Sequence, residues 1–229
     1  MDDLSIVIPC YEENHEAIKK TVEELRSIGA EVIVVDDGSE FPYPDSIKHG
    51  TNFGYGSALM TGIKNSSRQI ILTMDGDLQH TVKEMVKLYH AFKLIEKADM
   101  VVGVRHLKHE KLLRFLGRKF LNWTASLIAT YWLPDLNSGA RIFKRHIAIG
   151  YFPILCRRFS FTTSLTMSMI LDKYRVEFFP IEVAERNHGK SRVKVVRDGV
   201  VTLYYILKLG FALKTRGIRS WKRNLFSSR

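Results

Sequence analysis

Cysteine is scarce: the 229-residue chain has only Cys10 and Cys156. Neither the count nor the spacing builds a disulfide framework or a structural zinc site, so the composition fits a reducing compartment. Cys10 lies in an apolar run and reads as a small core residue. Long hydrophobic runs are missing too. No stretch reaches the ~18–20 apolar residues that span a bilayer. The opening Met1-Asp2-Asp3 lacks the basic start and longer apolar stretch of a secretion signal. Asn52-Phe53-Gly54-Tyr55-Gly56 contains glycines but no Gly-Lys-Ser/Thr element, which excludes a Walker phosphate loop. No Gly-x-Ser-x-Gly element or Cys/His arrangement argues for acyl transfer. His106 and His109 lack the partner spacing of zinc ligands and read as surface residues. There is no internal repeat and no low-complexity segment.

Acid is nearly absent from the C-terminal region. Of 35 Lys and Arg, 12 fall between Arg186 and Arg229, beside the single acid Asp198; the preceding residues hold 23 bases and 23 acids. A neutral body thus carries a basic end, which attracts anionic lipid, phosphorylated substrate or nucleic acid. An apolar fraction of 45% fits a folded globular protein, and the length suits one sizeable core.

Strand-like and helix-like runs alternate through the first half. Residues 4–9, 31–35, 69–74 and 100–104 read as buried strands, and 13–28, 57–64 and 82–95 as amphipathic helices. That alternation predicts an α/β fold with a mostly parallel central sheet flanked by helices. Ligands of such sheets bind outside the carboxyl ends of the strands. Three of these ends carry Tyr11-Glu12-Glu13, Asp36-Asp37 and Asp75-Gly76-Asp77, and a fourth adds Arg105. In the second half, residues 111–133 and 200–213 read as amphipathic helices suited either to a membrane interface or to an ordinary core. Arg114, Arg118 and Asn122 share one face of the first, at i, i+4 spacing.

Asp75 and Asp77 flank one small residue at the end of a buried strand, and extended backbone turns both carboxylates to the same side. Two hard oxygen ligands so placed suit Mg²⁺ or Mn²⁺ bridging a diphosphate. Gly76 leaves room for the backbone to turn. A carboxylate of Asp36-Asp37-Gly38-Ser39, at another strand end, suits either accepting from a base N–H or a ribose hydroxyl or shaping a turn that caps a helix. Acidic strand ends repel nucleic-acid phosphates unless a metal intervenes, which argues against a nucleic-acid partner.

These residues, with Ile8-Pro9-Cys10-Tyr11-Glu12-Glu13-Asn14, Val34 to Ser39, Asn52 to Gly56 and Met74 to His80, resemble family 2 glycosyltransferases of the GT-A (Rossmann-like) fold. Asp135 to Arg145 and Arg186 to Arg192 are similar to the dolichyl- and polyprenyl-phosphate sugar synthases, the dolichyl-phosphate mannose synthase type among them. The chain departs from that pattern at Ala140, Arg118 and Arg192, where Phe, Ser and Lys are usual.

The resemblance implies an inverting, metal-dependent hexosyltransferase acting from a nucleotide sugar of the GDP-mannose or UDP-glucose type. The acceptor would be a polyprenyl or dolichyl phosphate; the alternative is a saccharide or other hydroxyl, which needs a general base near His80 or Asp135. Pro9, Tyr11, Glu13, Val35 and Asp37, with Asp75 and Gly76, would hold the nucleotide. Asp75, Asp77 and Gln79 would hold the metal and diphosphate. Arg105, Arg114, Arg118, Ser138, Arg186 and Arg192 would surround the donor diphosphate and the acceptor phosphate, with Arg114, Arg118 and Ser138 on the acceptor. Residues 1–193 form the expected catalytic domain, divided into a donor half (1–105) and an acceptor half (106–193). Residues 194–229 form a basic, apolar, membrane-associating segment. The expected location is peripheral, on the cytoplasmic face of a membrane, attached directly or through a membrane partner.

Overall fold

The computed structural model describes residues 1–77, 79–106, 112–184 and 195–226, the side chains of Val195 and of 213–226 excepted. Its first strand, Leu4–Cys10 (β1), is buried at every position. Alternation explains how one strand feeds two layers: Leu4, Ile6 and Ile8 enter one apolar cluster, while Val7 enters the other. The first cluster is closed by helices His15–Ser27 (α1) and Val82–Leu94 (α3). Ile18, Val22 and Leu25 of α1 are buried there, each contributing about 2 kcal/mol of hydrophobic stabilisation. Asn14 Oδ1 caps α1 by accepting from Ala17 N at 3.1 Å, and Thr81 Oγ1 caps α3 by accepting from Glu84 N at 3.3 Å.

The opposite layer contains Tyr55–Asn65 (α2), Leu112–Ala129 (α4), Arg145–Tyr151 (α5), Phe161–Leu171 (α6) and Val195–Phe226 (α7). Helix α7 extends well beyond the expected 200–213, because Lys and Arg are good helix formers and continue the helix past its apolar part. Helix α4 stops at Ala129, short of the expected 133; Thr130 has a positive φ of 52°. α4 and α7 pack side by side, and a Cβ at Gly210 would overlap Ile128, so glycine sets the closeness of that pair.

The remaining strands are Glu31–Asp36 (β2), Ser46–Lys48 (β3), Ile70–Thr73 (β4), Met100–Arg105 (β5), Arg141–Lys144 (β6) and Val176–Ile181 (β7). They make one seven-stranded sheet in the order β3-β2-β1-β4-β6-β5-β7. All pairings are parallel except those of β6, which runs antiparallel between β4 and β5. β6 and β7 come from the second half of the chain, so both halves share one sheet. Because β6 is reversed, its first residue, Arg141, lies beside Thr73 and Val102. The loop before β6 therefore reaches the carboxyl ends of β4 and β5, where the acidic motif lies.

Candidate active site

Loops after β1 and β2 are tied together. Glu12, at a positive φ of 50°, donates its N–H to Ser39 Oγ at 2.8 Å and accepts from Glu40 N at 2.7 Å. Asp36 accepts from Ser39 N and Tyr43 N, shaping the turn. Pro9 and Val35 are register partners at these strand ends, and Tyr11 and Glu13 are half-buried in the loop above. Asp37 is buried, and the chain itself occupies both its oxygens. Oδ1 accepts from Phe53 N at 3.0 Å and lies 2.7 Å from His49 Nδ1; Oδ2 accepts from Gly54 N at 2.7 Å. Its visible role is to hold the loop that opens α2.

Asp75 follows β4 and is fixed from several sides. Tyr55 donates its phenol to Asp75 Oδ1 at 2.8 Å, and His80 Nε2 lies 3.6 Å from Oδ2. His80 is 3% exposed, and its Nδ1 has no hydrogen-bond partner among the described residues. A Cβ at Gly139 would overlap the whole Asp75 carboxylate. Burial pushes the Asp75 pKa up, but His80, the Tyr55 hydrogen bond and the Arg105 charge outweigh it and hold the carboxyl below its ordinary value. Burial, reinforced by Asp75, raises the Tyr55 pKa, so the phenol stays a donor. Asp77 is half-buried, and its Oδ1 accepts from Gln79 N at 3.2 Å. The requirement for glycine at 76 comes from a close approach: a Cβ there would lie 2.6 Å from the Pro9 carbonyl oxygen.

Arg105, at the end of β5, grips Asp135 with two parallel bonds, Nε to Oδ2 at 2.9 Å and Nη2 to Oδ1 at 3.0 Å. Burial would raise the Asp135 pKa, but the Arg105 charge and hydrogen bonds, with a further contribution from Arg118, bring it below the usual carboxylate value. Buried, held by Arg105 and lowered in pKa, Asp135 is a weaker base than a free carboxylate. Arg118 and Arg114 are half-buried on α4. Asn122, on the same helix face, donates to Pro134 O at 2.6 Å and accepts from Leu136 N at 3.4 Å, anchoring the Asp135 loop to α4. Ser138 is fully buried, and its Oγ has no partner among the described residues. Arg186 and Arg192 lie outside the described residues.

Sequence reasoning missed two residues. Tyr55 stood in a glycine-rich stretch with no chemistry assigned to it. Arg141 appeared only as part of a motif. Its guanidinium is buried and donates to Ser138 O at 2.8 Å, Thr166 Oγ1 at 2.8 Å, and the carbonyls of Leu136 and Thr162. Burial lowers its pKa to about 10. It fastens the 136–138 loop to α6, beneath Asp75. The motifs that contain them gave neither residue a role.

The donor set suits a hard divalent cation. Asp75 and Asp77 could supply carboxylate oxygens and Gln79 an amide. Among the described residues, no three His, Cys, Asp or Glu side chains converge on one point. A cation here would draw its remaining ligands from diphosphate and water, as Mg²⁺ does in phosphate sites.

The chain is 33% identical over 164 residues to an uncharacterized protein of Methanocaldococcus jannaschii, covering 64% of this chain and 67% of the relative. Its fold is similar to glucosyl-3-phosphoglycerate synthase from Mycobacterium tuberculosis. The crystal structure of that enzyme with Mn²⁺, uridine diphosphate and phosphoglyceric acid matches at a TM-score of 0.72 and 15% identity, over 91% of this chain and 78% of that one. The complex with Mn²⁺ and UDP-glucose matches at 0.71 and 16%, over 90% and 79%. These matches show the GT-A-like fold. The family model for glycosyl transferase family 2 matches residues 5–159. The chain belongs to glycosyl transferase family 2.

Proposed function

We propose that this protein transfers a hexose from a nucleotide sugar to a polyprenyl phosphate at a membrane surface, with inversion at the anomeric carbon. The observation that carries the reading is the two-sided character of α4. Its inner face brings Arg118 close enough to lower the Asp135 pKa. Its outer face exposes Leu116, Phe120, Trp123 and Leu127. Beside it, α7 exposes Val200, Tyr204, Leu207 and Phe211. A lipid phosphate needs that combination: cations at the crevice and apolar surface where the prenyl chain meets the bilayer. Among the described residues, no helix is long and apolar enough to cross a membrane.

The donor would lie across the carboxyl ends of β1, β2 and β4. Its nucleoside would rest near Pro9, Tyr11, Glu13 and Val35, over the loop that Asp37 holds. Asp75, Asp77 and Gln79 would hold Mg²⁺ or Mn²⁺, which neutralises charge on the departing diphosphate. The glucosyl-3-phosphoglycerate synthase crystals, which hold Mn²⁺ with a uridine nucleotide, support a divalent cation beside a nucleotide sugar. Arg105, pinned by Asp135, orients a cation toward the same anion, and Arg114 and Arg118 would receive the acceptor phosphate. The resemblance adds Arg186 and Arg192 to this cationic set and places Ser138 near the acceptor. A phosphate monoester has its second pKa near 6, so it is largely ionised at neutral pH and needs no strong base. One of its oxygens bonds to the anomeric carbon as the carbon–oxygen bond to the diphosphate breaks, and configuration inverts.

A second reading is a small phosphorylated acceptor, favoured by the phosphoglyceric acid in the similar crystal structure. The test offers UDP-glucose or GDP-mannose with Mn²⁺ to three acceptors: polyprenyl phosphate in vesicles, phosphoglyceric acid and an oligosaccharide. Glycosylation of the lipid phosphate is expected. Product from phosphoglyceric acid alone would replace the lipid reading, and product from the oligosaccharide alone would overturn both.

A further inference from the structure

Asp75 stands just beyond the last residue of β4, where a carboxylate on a short side chain can turn about its own bonds. Here two contacts favour one orientation. Tyr55 Oη donates to Oδ1 at 2.8 Å, and Gly139 packs directly against the carboxylate. Tyr55 is in turn held by features outside the acidic motif. It is the first residue of α2, and the turn before it hangs on Asp37, which accepts from Phe53 N at 3.0 Å and Gly54 N at 2.7 Å. Gly54 adopts a φ of 104°, which side-chain-bearing residues rarely reach, and a Cβ there would lie 2.9 Å from the Arg157 carbonyl. Ser57 N donates to that same carbonyl at 2.8 Å. One continuous chain of contacts therefore runs from the end of β2 to the end of β4, across β1: Asp37, the Phe53-Gly54 backbone, the Tyr55 ring and the Asp75 carboxylate.

We propose that Tyr55 is the positioning residue for Asp75 as a metal ligand, and that Asp37 acts on the same carboxylate at one remove by fixing the turn that carries Tyr55. The inference rests on the assignment of Asp75 and Asp77 to a divalent cation. A ligand already aligned before the cation arrives loses less freedom on binding, and partners that orient metal-ligating side chains typically contribute about 10- to 100-fold in metal affinity. Tyr55 suits this task because its ring also packs against the core on the α2 side of the sheet, so the hydroxyl is presented on a rigid support. Asp37 thereby gains a role distinct from touching the nucleoside. The two roles predict different things: direct contact would govern nucleotide affinity with or without metal, whereas the relay governs metal affinity.

The experiment titrates Mn²⁺ into the full chain in the presence of UDP, and separately GDP, for wild type, Tyr55→Phe, Asp37→Asn and the double variant. Phe keeps the ring and removes only the donor. Tyr55→Phe should raise the Mn²⁺ dissociation constant about tenfold. Its melting temperature should fall by no more than about 4 °C, the scale of one hydrogen bond in a chain of this length. Asp37→Asn should weaken Mn²⁺ in the same direction, and the double variant should be weaker by less than the product of the single effects, because both act through one contact. Wild-type Mn²⁺ affinity in Tyr55→Phe would overturn the proposal. Multiplicative losses, with Asp37→Asn weakening nucleotide binding without metal, would overturn the relay from Asp37. A wild-type protein that binds no Mn²⁺ with either nucleotide would reject the metal-site assignment itself, and this inference with it.

Discussion

Arg105 and Asp135 come from elements thirty residues apart and meet in a two-pronged ion pair, with the carboxylate 2% exposed and the arginine 19%. The pair fixes a cation at the carboxyl end of β5 and connects the loop before β6 to the crevice. Asp135→Asn removes one charge and leaves Arg105 partly buried without its counterion, a loss of about 3 kcal/mol. Because the folded-state pKa of Asp135 is lowered, its contribution is present above the ordinary value of 3.8 and disappears as pH falls through the lower, folded value. Denaturant unfolding should therefore show the variant well below wild type at neutral pH and the gap closing in acid below 3.8.

Gly139→Ala separates function from stability. The added methyl meets the end of a side chain, the Asp75 carboxylate, which can swing aside. The cost in stability should stay near 1–2 kcal/mol. Asp75 would no longer point where the diphosphate needs it, and misplacement on the scale of an ångström costs about 100-fold in rate. Steady-state turnover beside a melting curve checks this: a large loss of rate with a small shift in melting is expected.

Apolar residues on the outer face of α4 should govern membrane attachment. Trp123 is 59% exposed and Phe120 54%. Replacing both with Glu should leave stability within about 0.5 kcal/mol per site, as for other exposed positions. Sedimentation with anionic vesicles should fall sharply, and wild-type binding should weaken as salt is raised. Vesicle binding by the double variant equal to wild type would rule out this face as the attachment surface.

Apart from the three-residue β3, the first half of the fold was legible because its signals are local. β1, β2 and β5 are continuous apolar runs, α1 and α3 carry clean helical stripes, and the acidic clusters follow strands directly. The second half hid its elements for physical reasons. Helix α6 is buried on every side from Phe161 to Ile170 and mixes Thr and Ser with Leu and Met, so no stripe marks it. β6 has only four residues. β7 contains Pro180, which is tolerated because this strand lies at the sheet edge. The site divides the same way. The place of Asp75, Gly76 and Asp77 just after a buried strand was legible from the apolar run before them. The contacts of Tyr55 with Asp75, Arg105 with Asp135, and Arg141 with Thr162 and Thr166 join segments 20 to 30 residues apart, and no local window of sequence contains that information.

The proposed function places a divalent cation at Asp75 and Asp77 in the service of hexose transfer. Its most direct test is transfer of labelled hexose from UDP-glucose or GDP-mannose to vesicle-borne polyprenyl phosphate, by wild type and by Asp77→Ala, before and after EDTA. Wild-type transfer should stop with EDTA and return with Mn²⁺, while Asp77→Ala should lose at least about 100-fold with its fold intact. Transfer that ignores EDTA, or an Asp77→Ala variant as active as wild type, would contradict the account.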